Sequence, residues 1–124
     1  EFLDYYKLVG GSFLSNGVVL AEGIFDVLSE HIFDNLGLKQ STKVYAAALS
    51  KSYESLIKSI VFNEQIFKLN VHILSDKDVD ISSYKYLRKR IGYLIDTLTV
   101  WYNKTGKDFN VTPVIAERII IKDN

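Results

Sequence analysis

Val18-Val19-Leu20-Ala21-Glu22-Gly23-Ile24-Phe25-Asp26-Val27-Leu28 opens with one periodicity and closes with another. Val18 to Ala21 form a short continuous apolar run, the mark of a strand buried on both faces, and the run stops at Glu22-Gly23. Beyond the glycine, Ile24, Val27, Leu28, Ile32 and Leu36 recur at helical spacing, and Gly37 is a reasonable helix stop. A buried strand that feeds a helix through a Glu-Gly turn is the first half of a βαβ unit.

The same alternation continues outward. Residues 43–49 (KVYAAAL) read as a second strand, and Tyr53, Leu56, Ile57, Ile60 and Val61 as a helical stripe. Phe67, Leu69, Val71 and Ile73 alternate with Lys68, Asn70 and His72, which is strand period. After an acidic turn at 76–80, Tyr84, Leu87, Ile91, Leu94, Ile95 and Leu98 mark a longer helix, and residues 98–102 (LTVWY) a fourth strand. Residues 103–110 form a polar loop, and Thr112-Pro113 resembles a helix start, predicting a last helix through Ile121. The predicted order β-α-β-α-β-α-β-α implies an α/β, Rossmann-like fold: a four-stranded, mainly parallel sheet with helices on both faces. Ligands of such sheets sit beyond the carboxyl ends of the strands.

Composition narrows the chemistry. With 124 residues, 48% of them hydrophobic, the chain holds enough apolar material for one core. Fifteen basic residues balance fifteen acidic ones, which argues against holding nucleic acid by bulk charge. The absence of cysteine removes disulfides, zinc–cysteine sites, iron–sulfur clusters and thiol catalysis. Only two histidines are present, His31 and His72, so a bound metal must be held by oxygen, which points to magnesium, manganese or calcium. No apolar run reaches membrane-spanning length, and the start, EFLDYYKLVGG, lacks the pattern of a signal peptide. The chain opens on Glu1 and is expected to be a single domain over 1–124, with its core at about 16–116, excised from a longer cytoplasmic protein.

Three polar motifs fall at predicted strand ends. Glu22-Gly23 follows the first strand, with Asp26 one helical turn on; Gly23 permits a tight turn and close approach of a ligand. Read alone, Asp26 equally serves the positive end of a helix dipole and Glu22 is a solvated loop acid. Asp76-Lys77-Asp78-Val79-Asp80 follows the third strand; residues two apart in an extended segment point the same way, so Asp76 and Asp78 would present two carboxylates to one hard cation. Asp80 or Ser82 caps the helix that follows. An EF-hand loop starting at Asp76 fails, because Ile81 and Leu87 stand where it requires Gly and Glu. Gly106-Lys107-Asp108-Phe109-Asn110 adds a carboxylate and a cation after the fourth strand, or is an ordinary polar loop. Lys85, Arg88, Lys89 and Arg90 share one predicted helix, either as a solvated face or as a contact for a phosphate backbone.

In combination and in this order, the three motifs resemble the Toprim domain, most closely that of bacterial and bacteriophage-type DNA primases. Ala21-Glu22-Gly23-Ile24-Phe25-Asp26-Val27-Leu28 is similar to their EGxxDV segment. Ala46-Ala47-Ala48-Leu49-Ser50 resembles their small-residue stretch, and Gly106-Lys107-Asp108-Phe109-Asn110 their KDxND element. The resemblance implies a Toprim-like fold and nucleotidyl transfer in DNA replication: joining ribonucleotides from nucleoside triphosphates on a single-stranded DNA template. It implies Mg2+ or Mn2+ held by Asp76, Asp78 and Asp108, with Glu22 and Asp26 as catalytic acids and Gly23 and Lys107 near phosphate. Lys85, Arg88 and Lys89 of the basic helix are then the candidate contacts for nucleic acid, and a replicative helicase would dock through regions outside this chain. A Toprim-type magnesium-dependent nuclease and a degenerate Toprim interaction module are the alternatives, and the domain alone is expected to be weakly active or inactive.

Overall fold

The computed structural model describes residues 5–9, 15–23, 37–38, 41–49, 51–104 and 116–122. Six strands, β1 (Tyr6–Val9), β2 (Gly17–Ala21), β3 (Thr42–Ala47), β4 (Leu69–Ser75), β5 (Ile95–Asn103) and β6 (Ala116–Ile121), form one sheet in the order β1-β3-β2-β4-β5-β6. The central four, β3-β2-β4-β5, are parallel; β1 and β6 run antiparallel along the two edges. Helices α1 (Tyr53–Glu64) and α2 (Ile81–Ile91) make the crossovers, and a short 3-10 turn (Gly92–Leu94) leads from α2 into β5.

Local chemistry sets these boundaries. Ser52 caps α1 by accepting the Ser55 N–H, and Gln65 ends it in the left-handed region at φ 55°. Asp80 caps α2, its Oδ1 accepting the Ser82 N–H at 3.1 Å, as its position before the apolar stripe predicts. Every residue of β2 is buried. Gly17 opens this strand because a Cβ there would overlap the Ser41 carbonyl oxygen of the adjoining segment.

The two crossovers, β3 to β4 and β4 to β5, advance in the same direction across the sheet. Right-handed connections therefore put α1 and α2 on one face. Leu56, Ile57 and Ile60 of α1 and Tyr84, Leu87 and Ile91 of α2 pack there against Val18, Leu20, Val44, Val71, Ile73, Leu98 and Val100. On the other face Val19, Ala21, Tyr45, Ala47, Leu74 and Trp101 are buried as well. The helix read from Ile24 to Leu36, which the β2-to-β3 connection would place on that face, lies outside the described residues.

The mainly parallel α/β sheet agrees with the sequence, but six strands stand where four are predicted. Residues 116–121, read as the end of a helix, are the antiparallel strand β6. Three consecutive β-branched residues, Ile119, Ile120 and Ile121, favour strand, and their burial alternates: Ile121 is buried while Ile120 is 55% exposed. The long helix predicted through Leu98 stops at Ile91, and Ile95 and Leu98 enter the core from β5. The third predicted strand starts at Leu69 rather than Phe67, which is 82% exposed. No helix among the described residues is long and apolar enough to cross a membrane.

Candidate functional site

In the parallel part of the sheet the chain leaves β2 for β3 on one side, and β4 later fills the other side. Connections that diverge from neighbouring strands open a crevice at their carboxyl ends, the preferred ligand position in open α/β sheets. Glu22 and Gly23 follow β2 and Asp76 follows β4, so residues from two distant motifs meet at this switch point. A cavity of about 590 Å3 lies there, lined by Glu22, Gly23, Asp76, the first residues of α1 and one face of α2. That volume suits a small molecule or a nucleotide.

Backbone hydrogen bonds carry β2 and β3 one step past the regular ladder. Ala48 N donates to Ala21 O at 2.8 Å, and Leu49 N to Glu22 O at 3.1 Å. These bonds fix the Glu22 backbone at the cavity mouth. Leu49 makes its bond with φ 51°, in the left-handed region. For a branched side chain that conformation costs about 1–2 kcal/mol, a local strain beside the site.

Asp76 is held by a second set of bonds. The buried Tyr84 hydroxyl donates to Ser75 Oγ at 2.6 Å, and Ser75 Oγ donates to the Asp76 carbonyl at 3.0 Å. Val79 N also donates to Asp76 O, at 3.3 Å, so the chain turns immediately after the strand. This turn corrects the extended reading of the Asp-x-Asp: the two-residue alternation requires strand geometry, which ends at Ser75. Asp78 is exposed on the turn and is not among the residues that line the cavity, whereas Asp76 is.

The site is negatively charged. Glu22, Glu54 and Asp76 line it, and among the described residues its wall contains no Lys, Arg or His. Glu54 is neutralised from outside the cavity: Arg90 holds it with two bonds of 3.2 Å and Lys58 with one of 3.1 Å. These partners, Arg90 first, hold the Glu54 carboxyl below its usual range and tie α1 to α2. The charges of Glu22 and Asp76 remain, and the Tyr84 hydroxyl registers both. Burial first, then the neighbouring Tyr102, Glu22 and Asp76, push its pKa up to about 12, although the Ser75 hydrogen bond acts the other way. Tyr84 therefore stays protonated and remains a donor at neutral pH.

Such a wall accepts a cation, or an anion accompanied by one. Magnesium keeps several waters and needs only one or two protein carboxylates beside substrate phosphates, so the Glu22 and Asp76 pair fits it chemically. Among the described residues no cluster of three or more His, Asp or Glu is gathered closely enough to hold a metal alone. Asp26, Lys107 and Asp108, which the resemblance adds to the site, lie outside the described residues.

Of the helix cations, Lys85 and Lys89 are exposed on α2. Arg88 is not: it is 8% exposed, and its guanidinium donates to the Ile95 and Asp96 carbonyls at 3.4 and 3.2 Å, joining α2 to the start of β5. The expectation that Arg88 touches nucleic acid is corrected on this ground. Sequence reading missed the tyrosines around the cavity. Tyr84 packs between Tyr53 and Tyr102, with ring centroids 6.4 and 6.1 Å away. Two of them sit in the first turn of a helix that follows a parallel strand, a placement that could have marked them as facing the ligand edge.

No family model, curated protein or solved structure matches the chain.

Proposed function

We propose that this chain is the metal-dependent nucleotidyl-transfer domain of a DNA primase, of Toprim type and cytoplasmic, acting with nucleoside triphosphates on a single-stranded DNA template. The observation that carries the reading is the meeting of Glu22-Gly23 and Asp76 on one cavity at the sheet's switch point. The resemblance in sequence order supplies the chemistry.

In this reading Glu22 and Asp76 would hold Mg2+ or Mn2+; Asp78, exposed on the turn, drops out of the set, and the resemblance would add Asp108 as a ligand and Asp26 as a second catalytic acid. The cation supplies neutralisation of the triphosphate and a lowered pKa for the attacking hydroxyl. The chain's own part is positional. Gly23 leaves room for a phosphate to approach the backbone, and the resemblance would add the positive charge of Lys107. Leu49 N–H fixes the Glu22 backbone, while the protonated Tyr84 and Ser75 fix that of Asp76. Glu54 lines the same cavity with its charge already met by Arg90 and Lys58.

Two measurements test the reading. Titration of Mn2+ into the chain, followed by calorimetry, should show a site that weakens at least tenfold in Glu22→Gln and in Asp76→Asn while their unfolding curves stay cooperative. The domain alone is expected to be weakly active or inactive, so the activity readout is comparative: any short RNA products formed from labelled ribonucleotides with Mg2+ and single-stranded DNA should vanish in the same variants. Shortening of the DNA instead would identify a nuclease. Unchanged Mn2+ affinity in both variants would contradict the site assignment, and no specific Mn2+ site at all would leave only an interaction module.

A further inference from the structure

A second concavity, about 440 Å3, runs between α2 and the edge strand β6 on the helix-covered side of the sheet. Lys85 and Lys89 line it from α2 and Lys122 from the end of β6; Arg88 also borders it, but its guanidinium is turned to the Ile95 and Asp96 carbonyls, and Ile119 and Ile121 stand in the wall. Among the described residues none of these three lysines has a carboxylate partner, and no acid lines the groove. In a chain of zero formal net charge this is a local basic track, separate from the acidic cavity.

One residue belongs to both walls. Tyr86 lines the acidic cavity and the basic groove, and it is 63% exposed. Its ring is held in place: the Arg90 guanidinium lies 5.9 Å from the ring centroid, and Arg90 is itself fixed by its paired bonds to Glu54. A cation–π contact on one side leaves the other face of the ring to stack against a planar partner. Lys85 and Lys89 are one helical turn apart, about 6 Å along the axis, so both can follow the same strand of phosphates.

We propose that the α2–β6 groove and Tyr86 form a track for single-stranded nucleic acid, with phosphodiesters against Lys85, Lys89 and Lys122 and one base stacked on Tyr86 at the rim of the cavity. Unpaired cations beside an exposed aromatic ring are the two elements by which proteins hold single strands without reading sequence. An acidic extended peptide would answer the lysines but has no use for the prepared ring. The track rests on the proposed function only for where the strand leads; its binding needs neither metal nor catalysis.

The test is fluorescence anisotropy of the chain with fluorescein-labelled dT12, in EDTA, at 50 and 200 mM KCl. Three phosphate contacts on a single strand predict a log–log salt slope of about −2, a roughly 20-fold weakening across that range. Lys85→Glu/Lys89→Glu/Lys122→Glu should abolish binding, while Lys68→Glu, on the exposed segment before β4, leaves it unchanged. Tyr86→Ala should weaken it about tenfold and Tyr86→Phe less than twofold, since stacking needs the ring and not the hydroxyl. Circular dichroism melting establishes that each variant is folded. Equal losses in the triple variant and Lys68→Glu, or no loss in Tyr86→Ala, would overturn the track. So would a Glu-rich peptide that displaces dT12 at equal concentration. Strand binding without a Mn2+ site keeps the track and removes the catalytic reading; a Mn2+ site without strand binding does the reverse.

Discussion

Replacing Tyr84 by Phe should alter how stability depends on pH, in a way that follows from its position. The hydroxyl is buried and donates to Ser75, and its pKa stands at about 12 in the folded protein against an ordinary value of 10.0. The folded value is the higher one. The neutral phenol's contribution is therefore complete below pH 10 and is lost as pH rises toward 12. A two-unit shift corresponds to about 2.7 kcal/mol at most, and because the ring lines an open cavity about 1–2 kcal/mol is the realistic loss. Tyr84→Phe keeps the ring contacts with Tyr53 and Tyr102 but removes the donor to Ser75, which costs about 1 kcal/mol at every pH. The two effects have different pH dependence. Urea unfolding at pH 8 should show the wild-type chain more stable by about 1 kcal/mol, and at pH 11.5 the difference should vanish or invert. The difference spectrum of the two proteins near 295 nm should place the missing phenol's titration well above pH 10. Parallel stability curves from pH 8 to 11.5, or a difference titration centred at 10, would refute the account of a hydroxyl desolvated beside two carboxylates.

Two further expectations concern the sheet. His72 accepts the Trp101 indole N–H at Nδ1, 3.1 Å away, and burial, followed by the charge of Arg118, lowers its pKa from 6.5 to about 4. The folded value is the lower one, so the neutral histidine stabilises above pH 6.5 and that contribution, about 2–3 kcal/mol, is lost as pH falls toward 4. The fluorescence of Trp101, the one tryptophan, should report this loss in urea titrations at pH 7 and 4.5, and His72→Gln should flatten it; an equal slope in the variant would contradict the assignment. Gly17→Ala should destabilise by about 1–3 kcal/mol, because the added carbon collides with the Ser41 carbonyl oxygen, and an unchanged urea midpoint would mean that the two segments are not in contact.

The parallel core was legible because its strands are buried on both faces and read as short apolar runs between helical stripes. Residues 18–21 and 43–49 and the alternating stretch 67–74 all fall on or across β2, β3 and β4. The edges were not legible. β1 is only four residues long and joins the sheet through pairing with β3, a partner far along the chain that no local pattern reveals. At β6, Thr112-Pro113 offered a helix start, whereas the deciding term is tertiary: Ile119 and Ile121 complete the hydrophobic cluster beside Leu98 and Val100 only from an antiparallel strand.

The same distinction between local pattern and tertiary placement explains the site. Glu22 and Asp76 could each be assigned to a strand end from the sequence, since Glu22 directly follows a continuous apolar run and Asp76 follows Ser75 at the polar end of the alternating stretch. That the two ends adjoin depends on sheet order, and β2 neighbours β4 only because the chain reverses direction after β3. Asp78 shows the limit of the local argument: alternation carries a residue's facing direction no further than the strand, which ends at Ser75, three residues short of Asp78, and the Val79–Asp76 hydrogen bond turns the chain there. The tyrosine that senses both carboxylates was read correctly as a core residue of α2. Its hydroxyl gained a second role because α2 begins at the carboxyl edge of the sheet, where a buried ring in the first turn carries its polar end to the ligand crevice. A core position at the start of such a helix thus belongs to the packing and to the site together, and Tyr84→Phe, which alters only the second, separates them.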